Sequence, residues 1–254
     1  MLHPWLPDKK YYEFSYHKFF NPDVTYENWT PWDEWTYPDR DLLRFSHIIK
    51  DQIEYIKDKK VLDLACHLGY LSLFSLHNGA KFVTGTNVRK RELGIANEVC
   101  KLAGFNNYQF IMSDIYDHKE LINLVNSHDT IILSGVFYHI NNHYELLKIL
   151  CQPGKTIIIE TELSLYEKTS TEIDLPAMLW RFEETSESTN AYEENKDFSF
   201  VGYPNEQWIT AALENLNMSI EYNKTINYFN ENKNKKTRLI IRAKYKDFKE
   251  KNSY

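Results

Sequence analysis

From Lys60 onward the chain alternates short apolar runs with amphipathic stretches. VLDLA (61–65) is an apolar run of strand length, and the LGYLSLFSLHNGA that follows has helical apolar spacing ending near Gly79. KFVTGTN predicts a second strand, and a helix is predicted from about Lys90 to Leu102. NYQFIMSD, DTIILSG and KTIIIETEL predict the third to fifth strands, with HKELINLV and HYELLKIL as helices between them. Strands of this length alternating with helices predict an α/β fold, a mostly parallel sheet with helices on both faces and right-handed crossovers.

Later the pattern changes. NEQWITAALENLN predicts a helix, and MSIEYNKTINYF and TRLIIRAKY predict two strands joined through the polar NENKNKK. That hairpin makes a seven-stranded sheet with an antiparallel C-terminal strand. Between them, residues 163–205 hold acidic and polar runs around LPAMLWRF, then Tyr192, Phe198, Phe200 and Tyr203. An insert of this length predicts a substrate cap. At the other end, residues 1–40 are dense in Trp, Tyr and Phe, show no period, and are punctuated by Pro4, Pro7, Pro22, Pro31 and Pro38. They predict an aromatic arm without a long helix, either packed on the main domain or serving as a lid. DRDLLRFSHIIKDQIEYI (39–56) predicts a single lead-in helix. The expected organisation is thus an arm and lead-in over 1–59, a main domain over 60–246 and a polar tail over 247–254.

Composition narrows the class. With 254 residues, 43% hydrophobic and 15% aromatic, the chain carries a full core and is neither a disordered tail nor a stapled miniprotein. A net charge of -6 weighs against a dedicated nucleic-acid binder. Cys66, Cys100 and Cys151 are odd in number and lack Cys-x-x-Cys spacing, which suits a reducing compartment. MLHPWLPDKKYYEF lacks the basic-then-apolar order of a signal peptide, and no apolar run is long enough to span a bilayer, so a cytoplasmic protein without membrane insertion is expected.

The first strand delivers Asp63 to its carboxyl edge, and a tight loop of small residues leads into a helix whose terminal amides suit an anionic or polar ligand group. DLACHLG (63–69) at this loop, GTN (85–87) after the second strand, SDIYD (113–117) after the third and ILSGVFYHI (132–140) after the fourth occur in order. Together they resemble a class I S-adenosylmethionine-dependent methyltransferase, with a Rossmann-like fold over roughly residues 60 to 245. The resemblance implies S-adenosyl-L-methionine as cofactor, with Asp63, Ala65 and Gly69 on its methionine side and Gly135 at the fourth strand's edge. It implies Asn87 at the ribose, Asp114 accepting from the adenine amino group and Ile115 against the ring. The family commonly has glycine where this chain has Ala65 and His67, and Asp or Glu where it has Asn87. His67 either bonds to the loop or arm, or contacts the cofactor carboxylate or the substrate.

On the acceptor side, His139 is the candidate general base, or else it orients the loop. Glu160, nearer the strand edge than Glu162, is a second candidate base or the partner that orients His139. Tyr138 lines the site or simply packs. Arg89, Lys90 and Arg91 start a helix whose field disfavours cations, which makes Arg89 and Arg91 candidates for a substrate phosphate or carboxylate. Trp180, Arg181 and Tyr203 are the candidate substrate contacts of the insert. His139 and His143 lack a third zinc ligand at useful spacing, so no metal is expected. The expected activity is methylation of a small polar metabolite, at a sugar-derived hydroxyl. GVFYH is also similar to transferases that carboxymethylate the tRNA wobble base, so a tRNA-modifying enzyme is one alternative and a noncatalytic cofactor-binding protein another. A homo-oligomer is left open.

Overall fold

A computed structural model describes residues 4–30, 39–164, 175–184, 198–229 and 235–246. Tyr192, most of the hairpin connection and the polar tail lie outside them. Two helices precede the sheet, α1 (Lys9–Phe20) and α2 (Asp39–Ile48). Then come β1 (Lys60–Leu64), α3 (Tyr70–His77), β2 (Phe82–Asn87), α4 (Lys90–Leu102), β3 (Tyr108–Met112), α5 (His118–Asn126) and β4 (Thr130–Ser134). After β4 follow a 3-10 turn (Phe137–His139), α6 (His143–Leu150), β5 (Thr156–Glu162), β6 (Met178–Glu184), β7 (Phe198–Pro204), α7 (Glu206–Asn215), β8 (Met218–Phe229) and β9 (Lys235–Tyr245).

Seven strands form one sheet in the order β3-β2-β1-β4-β5-β9-β8. The β1/β2 and β2/β3 pairs are parallel, and β9 runs antiparallel to both β5 and β8. The seven strands and the antiparallel C-terminal strand are those the sequence predicts, with helices around the sheet. The central strands β1, β4 and β5 read as continuous apolar runs because both faces are covered: Val61, Leu62, Ile131, Ile132, Ile157 and Ile158 are fully buried.

The chain divides into two compact units, residues 1–132 and 133–254. In the first, the aromatic arm departs from its sequence reading. Pro7 and Pro22 bracket a twelve-residue helix, α1, whose start is capped by Asp8 accepting from Lys10 N at 3.0 Å. Aromatic residues on several of its faces hid the helical period. Tyr12 stacks on Tyr70 with ring centroids 4.2 Å apart, and its hydroxyl donates to buried Asp41 of α2. Phe14 is fully buried against Tyr26 and Trp29. The lead-in also differs: α2 ends at Ile48 and a 3-10 turn runs from Lys50 to Tyr55, with Gln52 out of helical geometry at φ -116°, ψ 19°.

In the second unit, α6 and α7 bury Leu146, Leu147, Leu150, Ile209 and Leu213, while β9 buries Leu239, Ile240 and Ile241. The described part of the insert is a two-stranded antiparallel sheet, with Phe182 opposite Phe200 and Arg181 opposite Val201. Alternation puts Trp180 and Phe182 on one side and Arg181 and Glu183 on the other.

Candidate active site

The loop after β1 turns through three left-handed residues, Ala65 (φ 54°), His67 (φ 50°) and Gly69 (φ 73°). Two of these are the positions where the resembled family commonly has glycine. The departure from glycine has therefore changed side chains while the backbone keeps the conformation glycine favours. Ala65→Gly should raise stability, by up to about 1 kcal/mol, because it removes a left-handed alanine without removing a packed side chain. Urea unfolding checks this. Gly69 is further constrained, since a Cβ there would lie 2.6 Å from Ala96 Cβ.

Asp63 sits at the end of β1, 1% exposed, accepting from Ser72 Oγ at 2.6 Å. Burial pushes its carboxyl up to about 7, against the lowering effect of the Ser72 hydrogen bonds. His67 projects from the loop with about half its side chain exposed; its ring meets Phe19 of α1 at 5.5 Å and its Nε2 lies 4.0 Å from Glu92 Oε2. Loss of solvent lowers its imidazole below the usual value, while Glu92 pulls the other way. The arm thus reaches the loop.

At the end of β2, Asn87 is 8% exposed and its amide donates to Glu92 Oε2 at 2.6 Å. Its carbonyl accepts from Arg89 N at 3.3 Å. Glu92, 4% exposed in the first turn of α4, was not singled out in the sequence, although an acidic residue in a first helical turn is a recognisable pattern. Arg89 donates to Glu92 Oε1 at 3.1 Å, and Arg91 donates to the Phe19 carbonyl. Both arginines expected to meet substrate therefore have partners within the chain. Asp114 closes a turn after β3 by accepting from Tyr116 N at 2.9 Å, and Ile115 beside it is buried.

In the second unit, Gly135 (φ 73°) leaves β4 and donates its N–H to the Glu160 carbonyl at 3.0 Å. The 3-10 turn then presents Tyr138 and His139, whose rings lie 4.0 Å apart. The carboxylate that meets His139 is Glu183 of β6, with Oε2 2.5 Å from Nδ1, and not Glu160. Glu160 is fully buried, with Oε1 accepting from Arg238 at 2.7 Å and Oε2 from Ser134 at 2.8 Å. Arg238 also donates to the Tyr138 and Tyr228 hydroxyls, at 3.0 and 3.1 Å. A carboxylate held this way ties β5 to β9, the strands that carry Glu160 and Arg238.

Glu183 Oε1 accepts from Arg181 at 2.9 Å and from the Tyr203 hydroxyl at 3.0 Å, and Arg181 lies over the Tyr203 ring at 4.1 Å. Burial alone would raise the Glu183 carboxyl, but hydrogen bonds and charge from His139 and Arg181 hold it below the usual range. Arg181 and buried Tyr203 thus face a carboxylate of their own hairpin, whereas Trp180 is partly exposed and stacks on Phe200 at 5.1 Å. Glu183 was legible in principle, because MLWRFEE alternates charged with aromatic positions. His143 Nε2 bonds to the Gly202 carbonyl at 2.9 Å, so the two histidines of HINNH serve different partners. Among the described residues no group of three or more His, Cys, Asp or Glu is placed to hold a metal ion.

A family model described as a methyltransferase domain matches residues 56–243. The chain belongs to the methyltransferase-domain family. No curated protein sequence matches the chain. Among solved structures it is similar to the N-terminal domain of EvdMO1 with SAH bound, at 16% identity and TM-score 0.59 over 96% of this chain and 100% of that one. The same domain was also solved in the presence of SAH and D-fucose, matching at 15% identity and TM-score 0.59 with the same coverage. Magnesium protoporphyrin IX methyltransferase from Synechocystis PCC 6803, with SAH bound, matches at 14% identity and TM-score 0.54 over 85% of this chain and 90% of that one. These likenesses concern the fold. Among the described residues no helix is long and apolar enough to cross a membrane.

Proposed function

We propose that this methyltransferase methylates a hydroxyl of a small polar metabolite of the sugar-derived class, with His139 as the general base. The donor fits the first unit: a left-handed loop at Ala65, His67 and Gly69 allows close backbone approach, and buried Asp63 stands at its base. Asp63, Ala65, His67 and Gly69 would hold its methionine end, Asn87 one ribose hydroxyl, and Asp114 and Ile115 the adenine, with Gly135 opening the fourth strand's edge. The Asn87 carbonyl carries a second lone pair for that hydroxyl. When bound, S-adenosylmethionine supplies an electrophilic methyl group on a sulfonium.

The observation that carries the reading is His139, on the turn directly after β4, with a partly exposed imidazole whose Nδ1 is tied to a carboxylate. A neutral imidazole held from Nδ1 offers Nε2 to the proton of an approaching hydroxyl. The EvdMO1 domain solved in the presence of D-fucose supports a sugar-like acceptor. An RNA acceptor fits less well: the chain is acidic, Arg238 and Arg242 are buried, and Arg89 and Arg181 are paired with carboxylates.

The bond formed is the test. With methyl-labelled donor and a panel of free and nucleotide-linked sugars, the product should be an O-methyl ether by mass spectrometry. Exclusive labelling of nitrogen or sulfur acceptors would overturn the hydroxyl assignment.

A further inference from the structure

We infer that Glu183 is the positioning residue that fixes the tautomer of His139, and that Arg181 and Tyr203 act through it rather than on the substrate. This rests on the reading of His139 as base. Glu183 is 3% exposed and its two oxygens have divided roles: Oε2 meets Nδ1 of His139, and Oε1 receives Arg181 and the Tyr203 hydroxyl. An ionised carboxylate only accepts, so the His139 proton resides on Nδ1 and Nε2 keeps its lone pair. When an acceptor hydroxyl gives up its proton, that proton would move to Nε2, the oxygen would use its electron pair for the new bond to the methyl carbon while the bond from that carbon to the donor's sulfur breaks and leaves its pair on sulfur, and the imidazolium would lie against an anion. The insert hairpin therefore does more than cover a site: its β6 strand completes the base.

The division of roles gives a sharp consequence. In Glu183→Gln the side chain has one carbonyl and one NH2 group. Arg181 has donors only, so it takes the carbonyl. The NH2 group then faces His139 and donates to Nδ1, which forces the proton onto Nε2 and removes the base. Glu183→Asp keeps an anion, and with it the original tautomer. Adding Arg181→Leu to Glu183→Gln frees the amide to rotate and return its carbonyl to His139.

The experiment is 15N NMR of the histidine rings in the full-length protein without donor, with His139 assigned by its loss in His139→Gln, alongside single-turnover methyl-transfer rates. Wild type and Glu183→Asp should show Nδ1–H for His139. Glu183→Gln should show Nε2–H and a rate lower by about 100-fold, with both partly restored in the double variant. A wild-type tautomer in folded Glu183→Gln would overturn the inference, as would a double variant no better than the single one in both measurements. Because the ring signal needs no turnover, a tautomer change with no O-methyl product from wild type would uphold the positioning role and refute the proposed function.

Discussion

Asp63→Asn is expected to make the donor-free protein more stable at pH 8 while weakening donor binding. Burial raises the folded Asp63 carboxyl to about 7, whereas in the unfolded chain it returns to the ordinary value near 4. Between those values the folded state binds more protons than the unfolded state. Stability from this group therefore falls as pH rises from about 4 to about 7, by roughly 4 kcal/mol in total. Asparagine has no such titration, so up to that amount is recovered above pH 7, and urea unfolding at pH 8 reads it. His143 works in the opposite sense, since burial lowers its imidazole from 6.5 to about 4. Its contribution is present above pH 6.5 and is lost on acidification towards pH 4, by roughly 3 kcal/mol. The two offset one another in wild type, so Asp63→Asn should show a steeper loss below pH 6.5. Donor affinity by calorimetry should fall by about tenfold, as expected when a charge-assisted contact is lost. A folded variant with wild-type stability at pH 8 and wild-type donor affinity would remove Asp63 from the donor site.

His139→Gln should keep the fold and most of the donor affinity while lowering the single-turnover rate by about 100-fold. Its ring packs beside Tyr138 and bonds to Glu183, the carboxylate that also accepts from Arg181 and Tyr203. Glutamine keeps a polar side chain on the turn but has no ring nitrogen to take the hydroxyl proton. A near-native single-turnover rate in the folded variant would leave catalysis to positioning alone.

The centre of the sheet was legible because β1, β4 and β5 are buried on both faces and read as apolar runs, while α4 follows its periodic pattern from Lys90 to Leu102. The arm was not. In α1 the buried Tyr12, Glu13, Phe14 and Ser15 are consecutive, so its helical period cannot be seen without knowing what lies on each side. The donor loop was visible as a motif, yet only the backbone shows that Ala65 and His67 keep a glycine-like conformation. Chemistry across long separations was the hardest part. His139 meets a carboxylate 44 positions away, and Glu160, the nearer choice by strand-edge reasoning, is held by Arg238 at a separation of 78. Pairing of β9 with β5 decides the second contact, and neither strand reveals that register by itself.

The most direct test of the account is where the methyl group goes. Full-length protein would be incubated with methyl-labelled S-adenosylmethionine and, separately, a small-molecule cell extract and total unmodified tRNA, with label and S-adenosylhomocysteine quantified by mass spectrometry. The account predicts label on a hydroxyl-bearing small molecule, formed one-for-one with S-adenosylhomocysteine and suppressed in His139→Gln. Label confined to tRNA, or tight donor binding with no S-adenosylhomocysteine formed from either source, would contradict it.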